Sequence, residues 1–119
     1  MAAVEVKTMA ASTELVSPAA CLRLLKQEFG VGLLLNEGGP TVFGELLAGG
    51  FVDELFLTVA PQIAGRVAAH PRPSLIEGVE FIPQTAPWST LLTAKKAGDH
   101  LYLRYLLKGA GKPGAVSGS

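Results

Sequence analysis

Residues 31–50 read VGLLLNEGGPTVFGELLAGG. Leu33, Leu34 and Leu35 form an unbroken apolar run, the pattern of a strand covered on both faces. The run ends at Asn36 and Glu37. Gly38 and Gly39 then permit a tight turn and a close backbone approach. Pro40 suits the first position of a helix, where a missing N–H loses no bond. Phe43, Leu46 and Leu47 follow at helical spacing, and Gly49-Gly50 can close the helix. The reading is strand 31–36, glycine turn, helix 40–48. Such a junction leaves free N–H groups at a helix N-terminus, the geometry of a phosphate site.

Outward from this stretch the elements are simpler. Ser17 and Pro18 are an N-cap and a first helical residue. Leu22, Leu25 and Phe29 share one face of the helix they begin, and Gly30 can end it. Leu55 to Ala60 reads as a strand stopped by Pro61. With 31–36 and 40–48 it suggests a βαβ-like unit over a short connection. Residues 62–78 carry Gly65, Pro71, Pro73 and Gly78 and read as loop. Val79 to Ile82 reads as a short strand. Trp88 to Lys95 and His100 to Lys108 read as two longer strands joined by Ala97, Gly98 and Asp99 into an antiparallel hairpin. Along the second, Leu101, Leu103 and Tyr105 face one way, with Tyr102 and Arg104 opposite. Val4 and Val6 alternate with Glu5 and Lys7 in a weaker strand signal over 3–8. Residues 109–119 are expected to be a disordered tail.

The chain has 119 residues, 49% of them hydrophobic, enough for one domain with one core. Its formal net charge is zero. No basic face is implied, so composition gives no support to a nucleic-acid or anionic-membrane partner. Cys21 is the only cysteine, which excludes an intrachain disulfide. A cytoplasmic protein is expected, since the sequence shows neither a signal-peptide pattern nor a transmembrane run.

Among chemistry-bearing residues, the junction at 37–41 stands first. Gly38, Gly39, Thr41 and Val42 can offer backbone N–H groups, and Thr41 adds a hydroxyl. Glu37 would repel a phosphate, so it is expected to turn to a second ligand. On spacing alone, a glycine turn with no ligand outranks the phosphate site, because short glycine motifs recur. His70 and His100 have no sequence-local partner and read as surface residues. Two histidines and one cysteine without ligand spacing argue against zinc. A serine-hydrolase elbow is absent. Gly109-Ala110-Gly111-Lys112 lacks the spacing and the Ser/Thr of a phosphate loop. Asp53-Glu54 reads as a solvated pair, and Arg66 as a loop arginine.

The combination of E-G-G-P at 37–40, V-D-E-L at 52–55, a strand ending at Pro61 with Gly65 beyond it, and G-D-H-L-Y-L-R-Y at 98–105 resembles a known family. It is similar to the reductase domain of riboflavin biosynthesis, the C-terminal part of the bifunctional deaminase–reductase. The resemblance is strongest over residues 33–65. It implies an α/β, dihydrofolate-reductase-like mixed sheet flanked by helices. It implies NADPH as cofactor and a pyrimidine substrate, 5-amino-6-(5-phosphoribosylamino)uracil, whose ribose is reduced to a ribityl chain. Gly38, Gly39, Pro40 and Thr41 then line the cofactor phosphate turn, and Glu37 contacts substrate. No residue is assigned as catalytic.

The resemblance covers the C-terminal half of the family domain, so residues 1–108 are expected to form a partial, N-terminally truncated domain. In the related fold a further strand lies between those expected at 31–36 and 55–60. Without it, apolar edges would stand open. A homo-oligomer, or a complex with a chain supplying the missing half, is expected. Two other readings remain: a related dihydrofolate or pterin reductase, and a non-catalytic binding or assembly module of the same fold.

Overall fold

The computed structural model describes residues 16–107. The strand expected at 3–8 and the tail at 109–119 lie outside the described residues. The order is helix α1 (Pro18–Phe29), helix α2 (Pro40–Ala48), then strands β1 (Glu54–Val59), β2 (Thr90–Ala97) and β3 (His100–Leu106). The chain divides into two compact units, Met1–Gly38 and Gly39–Ser119.

In the first unit, α1 begins and ends as its caps dictate. The Ser17 hydroxyl accepts from the Ala20 N–H at 3.5 Å, and Pro18 opens the first turn. Gly30 takes a left-handed φ of 63°, which releases the chain while its N–H and that of Val31 close on Lys26 and Leu25 carbonyls. Residues 31–36 are coil, where a strand was expected. Leu33 and Leu35 are 93% and 72% exposed. A strand exists only through a partner ladder, and no described strand pairs with this run. The βαβ-like unit falls with it.

The second unit holds α2 and the sheet. The sheet order is β1-β3-β2, antiparallel throughout. The hairpin turns at Gly98-Asp99, with Gly98 at a φ of 57°, and its strands begin at Thr90 and His100. β3 is central. It pairs Leu55, Leu57 and Val59 with Tyr105, Leu103 and Leu101, which makes one face of the sheet apolar. Phe56 and Thr58 pair with Arg104 and Tyr102 on the other. The alternation expected along β3 is therefore present. Residues 79–82, expected as a short strand, form no ladder and lead into a turn at 83–85. They too lack a partner strand.

Between α2, β1 and the 75–89 segment, Phe43, Leu47, Leu55, Ile76, Phe81 and Leu107 line an open apolar cavity of about 270 Å³. Among the described residues no hydrophobic side chain is fully buried.

Candidate functional site

Of the five residues expected to form the site, Glu37 and Gly38 close the first unit, and Gly39, Pro40 and Thr41 open the second. Glu37, Gly38, Gly39 and Thr41 are exposed and Pro40 is half-buried. The Gly38 N–H donates to Asn36 Oδ1 at 3.1 Å, a local Asx-type turn that occupies this donor. That bond was not legible beforehand, although Asn two residues before a glycine is a known turn signal.

Gly39 is the N-cap of α2, with φ −69° and ψ 179° and no side-chain cap. Its carbonyl accepts from Phe43 N–H at 3.0 Å, the first bond of the helix. The N–H groups of Thr41 and Val42 precede that bond and have no partner within the helix. The first turn carries no acidic side chain, so nothing there offsets the positive end of the helix dipole. A Cβ built on Gly39 would meet nothing within 4 Å. Its backbone angles suit any residue. Among the described residues nothing packs where a side chain would stand, and glycine is itself a favoured N-cap.

Against the start of α2 lies the segment 74–78, part of the stretch that the sequence reads as loop. Glu77 N–H donates to the Pro40 carbonyl at 3.2 Å. The Ser74 N–H and hydroxyl donate to Glu77 Oε1 at 2.5 and 2.9 Å, and the hydroxyl also reaches the Ile76 carbonyl. These two donors, backbone first, hold the Glu77 carboxyl below its ordinary range, with a smaller contribution from the charge of Arg66. The Ser-x-x-Glu spacing, that of a capping box, is the signal that could have found it. Gly44 is the buried residue that lets α2 approach: a Cβ there would lie 2.9 Å from the Glu77 carbonyl oxygen and from Ile76 Cγ2. An isolated glycine inside a helical pattern is the cue for such contact.

The other candidates find structural employment. Glu54 is not a solvated partner of Asp53. Arg104 grips it with Nε and Nη2 at 2.9 and 2.7 Å and lies 5.7 Å above the Phe56 ring. The hydrogen bonds from Arg104 lower the Glu54 pKa and raise that of Arg104. His100 stacks on Tyr102 at 6.5 Å between ring centres. His70 bridges to Val67 through the backbone. No helix among the described residues is long and apolar enough to cross a membrane.

Comparison with known proteins now bears on this geometry. No curated protein matches the chain. Two structures of RibD from Acinetobacter baumannii, forms 2 and 1, align with TM-scores of 0.66 and 0.65 at 22% identity. Each match covers 78% of this chain and 25% of the RibD chain, so this chain spans about a quarter of the length of those proteins. That likeness shows the fold, which is dihydrofolate-reductase-like. The model of the RibD C-terminal domain matches residues 2–96. With E-G-G-P leading into α2, V-D-E-L leading into β1 and G-D-H-L-Y-L-R-Y turning into β3, the chain belongs to the RibD C-terminal domain family.

Proposed function

We propose that this chain is the cofactor-phosphate element of an NADPH-dependent reductase of riboflavin biosynthesis. In this reading it works once the remainder of the reductase fold is present. Substrate is the phosphoribosylaminouracil whose ribose becomes a ribityl chain. The observation that carries the reading is Gly39: exposed, at the start of α2 with no side-chain cap, and with no described residue within 4 Å of where a Cβ would stand. An absent side chain leaves the helix N-terminus open to a pyrophosphate, and Thr41 and Val42 have N–H groups to donate. Gly38, Gly39, Pro40 and Thr41 would line the cofactor phosphates, with the N–H groups of Thr41 and Val42 as donors while that of Gly38 stays on Asn36; NADPH, when bound, supplies the hydride. Glu37 precedes this turn and, as an exposed carboxylate, suits the hydroxyl- or N–H-bearing part of that substrate better than a phosphate.

The test is NADPH binding and oxidation by the purified chain, alone and mixed with a polypeptide bearing the rest of a RibD reductase domain. Binding and substrate-dependent oxidation in the mixture are the expected result. A mixture that assembles yet neither binds nor oxidises NADPH overturns the reading. In the active mixture Glu37→Gln should lower turnover much more than NADPH affinity; an equal loss of both removes Glu37 from the substrate side.

A further inference from the structure

Ser74-Leu75-Ile76-Glu77 has the spacing of a capping box, the pattern that opens a helix. Here residues 75–78 bend without forming a helix. One half of the box is made: the Ser74 N–H donates to the Glu77 carboxylate at 2.5 Å. In the other half the serine oxygen would accept from the glutamate amide. Instead the Ser74 hydroxyl turns to Glu77 Oε1, at 2.9 Å, and to the Ile76 carbonyl. The Glu77 amide is thereby left for an acceptor outside the segment, and it takes the Pro40 carbonyl at 3.2 Å.

That carbonyl belongs to the first turn of α2. A carbonyl oxygen has two lone pairs and a helix ladder uses one, so this bond leaves the turn intact. Two further contacts fall beside it. A Cβ built on Gly78, which has a left-handed φ of 78°, would lie 3.7 Å from the Thr41 methyl. One built on Gly44 would lie 2.9 Å from the Glu77 carbonyl oxygen. Positions 40 and 41 are each a helical neighbour of 44, so the segment bears on one side of the turn that carries the Thr41 and Val42 N–H groups. It also orients Thr41. Methyl and hydroxyl leave Cβ in different directions, and the seat of the methyl beside Gly78 sets where the hydroxyl goes.

We propose that Ser74 and Glu77 are positioning residues for the phosphate turn. The clasp between them aims the Glu77 N–H at Pro40, and so holds the first turn of α2 with its Thr41 and Val42 donors directed at the cofactor phosphates. This rests on the cofactor-phosphate reading given above. Neither residue needs to touch the cofactor; each acts through Pro40 and Thr41. Donors held in place before binding lose less freedom on binding, so the clasp acts on affinity rather than on the chemical step.

The test uses the full chain mixed with the polypeptide that completes the domain. The dissociation constant for NADPH is titrated directly, and kcat is measured at saturating NADPH and substrate. Ser74→Ala should raise that dissociation constant about fivefold and leave kcat within about twofold. A partly unfolded sample would do the reverse, lowering apparent kcat at unchanged affinity. Ser74→Thr keeps a hydroxyl and should restore affinity. Glu54→Gln, which weakens the ion pair with Arg104 on the sheet, controls for general destabilisation and should leave the dissociation constant alone. In the chain by itself, Ser74→Ala should shift the Thr41 and Val42 amide signals in an NMR spectrum. Wild type that binds NADPH while Ser74→Ala binds it equally well overturns this proposal alone. So does a Ser74→Ala defect in kcat only, a failure of Ser74→Thr to rescue, or unmoved Thr41 and Val42 amides. A wild-type mixture that assembles and does not bind NADPH overturns the cofactor-phosphate reading, and this proposal with it.

Discussion

Helix α2 contains two glycines under opposite physical conditions. Gly44, in its middle, is buried, and a methyl there would lie 2.9 Å from the Glu77 carbonyl oxygen and from Ile76 Cγ2. Gly39, at its start, faces open space at ordinary backbone angles. The fold accounts for Gly44, because the 74–78 segment could not otherwise reach the helix. No described residue crowds Gly39. The difference separates a glycine required by packing from one at a helix start that packing leaves open.

The hardest test of that contrast is Gly44→Val. Overpacking against a backbone carbonyl should destabilise the protein by about 1–3 kcal/mol. Chemical denaturation checks this, and a neutral result would mean that the 74–78 segment yields freely. Gly39→Val should cost less, about 1 kcal/mol or under, the loss of a glycine N-cap. It should weaken NADPH binding about tenfold, or about 1.4 kcal/mol, in the mixture with a polypeptide completing the domain. If Gly39→Val unfolds the chain, the two glycines are not opposites after all. If it stays folded and binds NADPH as before, the phosphate-turn assignment goes.

Smaller effects follow from what presses on Gly44. Ser74→Ala removes the hydroxyl that bonds Glu77 Oε1 and the Ile76 carbonyl. It should lower Tm by less than Gly44→Val does and speed exchange of the Glu77 amide. That amide is bonded to Pro40, so it reports whether the segment stays against α2. The same amide gives the smallest effect, with pH. The Glu77 carboxyl is held below its ordinary value by Ser74, so the folded segment favours the ionised form. This contribution is complete above the ordinary carboxylate range and is lost as pH falls through the lowered value. Exchange protection at Glu77 should drop on acidification in the wild type and show less pH response in Glu77→Gln. An unchanged pH response in that variant would assign the effect to another group.

Much of this layout was legible from residue order. Ser17, Pro18 and Gly30 bounded α1, and Pro40 and Gly49 bounded α2, because caps act within a single turn of chain. The hairpin was readable for the same reason: its turn and both strands are contiguous. Leu33 to Leu35 show the opposite case. Their apolar run reads as a covered strand, yet no described strand pairs with it, and Leu33 is 93% exposed. Apolarity records that a surface wants cover, not which element provides it.

The site divides along the same line. The glycine–proline–threonine turn at a helix start is a local pattern, and residues 39–41 begin α2 as it requires. The occupation of the Gly38 N–H by Asn36, and the seating of Glu77 on Pro40, depend on coordinates.

By itself, the sequence determined the helices and their caps, the hairpin, the alternation of faces along β3, and the family to which E-G-G-P and G-D-H-L-Y-L-R-Y point. Each depends on neighbours a few residues apart, where covalent geometry and capping chemistry decide. Only the tertiary structure decided that β3 lies between β1 and β2, that Arg104 grips Glu54 across 50 positions of chain, that Gly44 admits the 74–78 segment and that no described residue crowds Gly39. Those outcomes come from long-range pairing, where loop closure is set against packing and any of several apolar surfaces could have served.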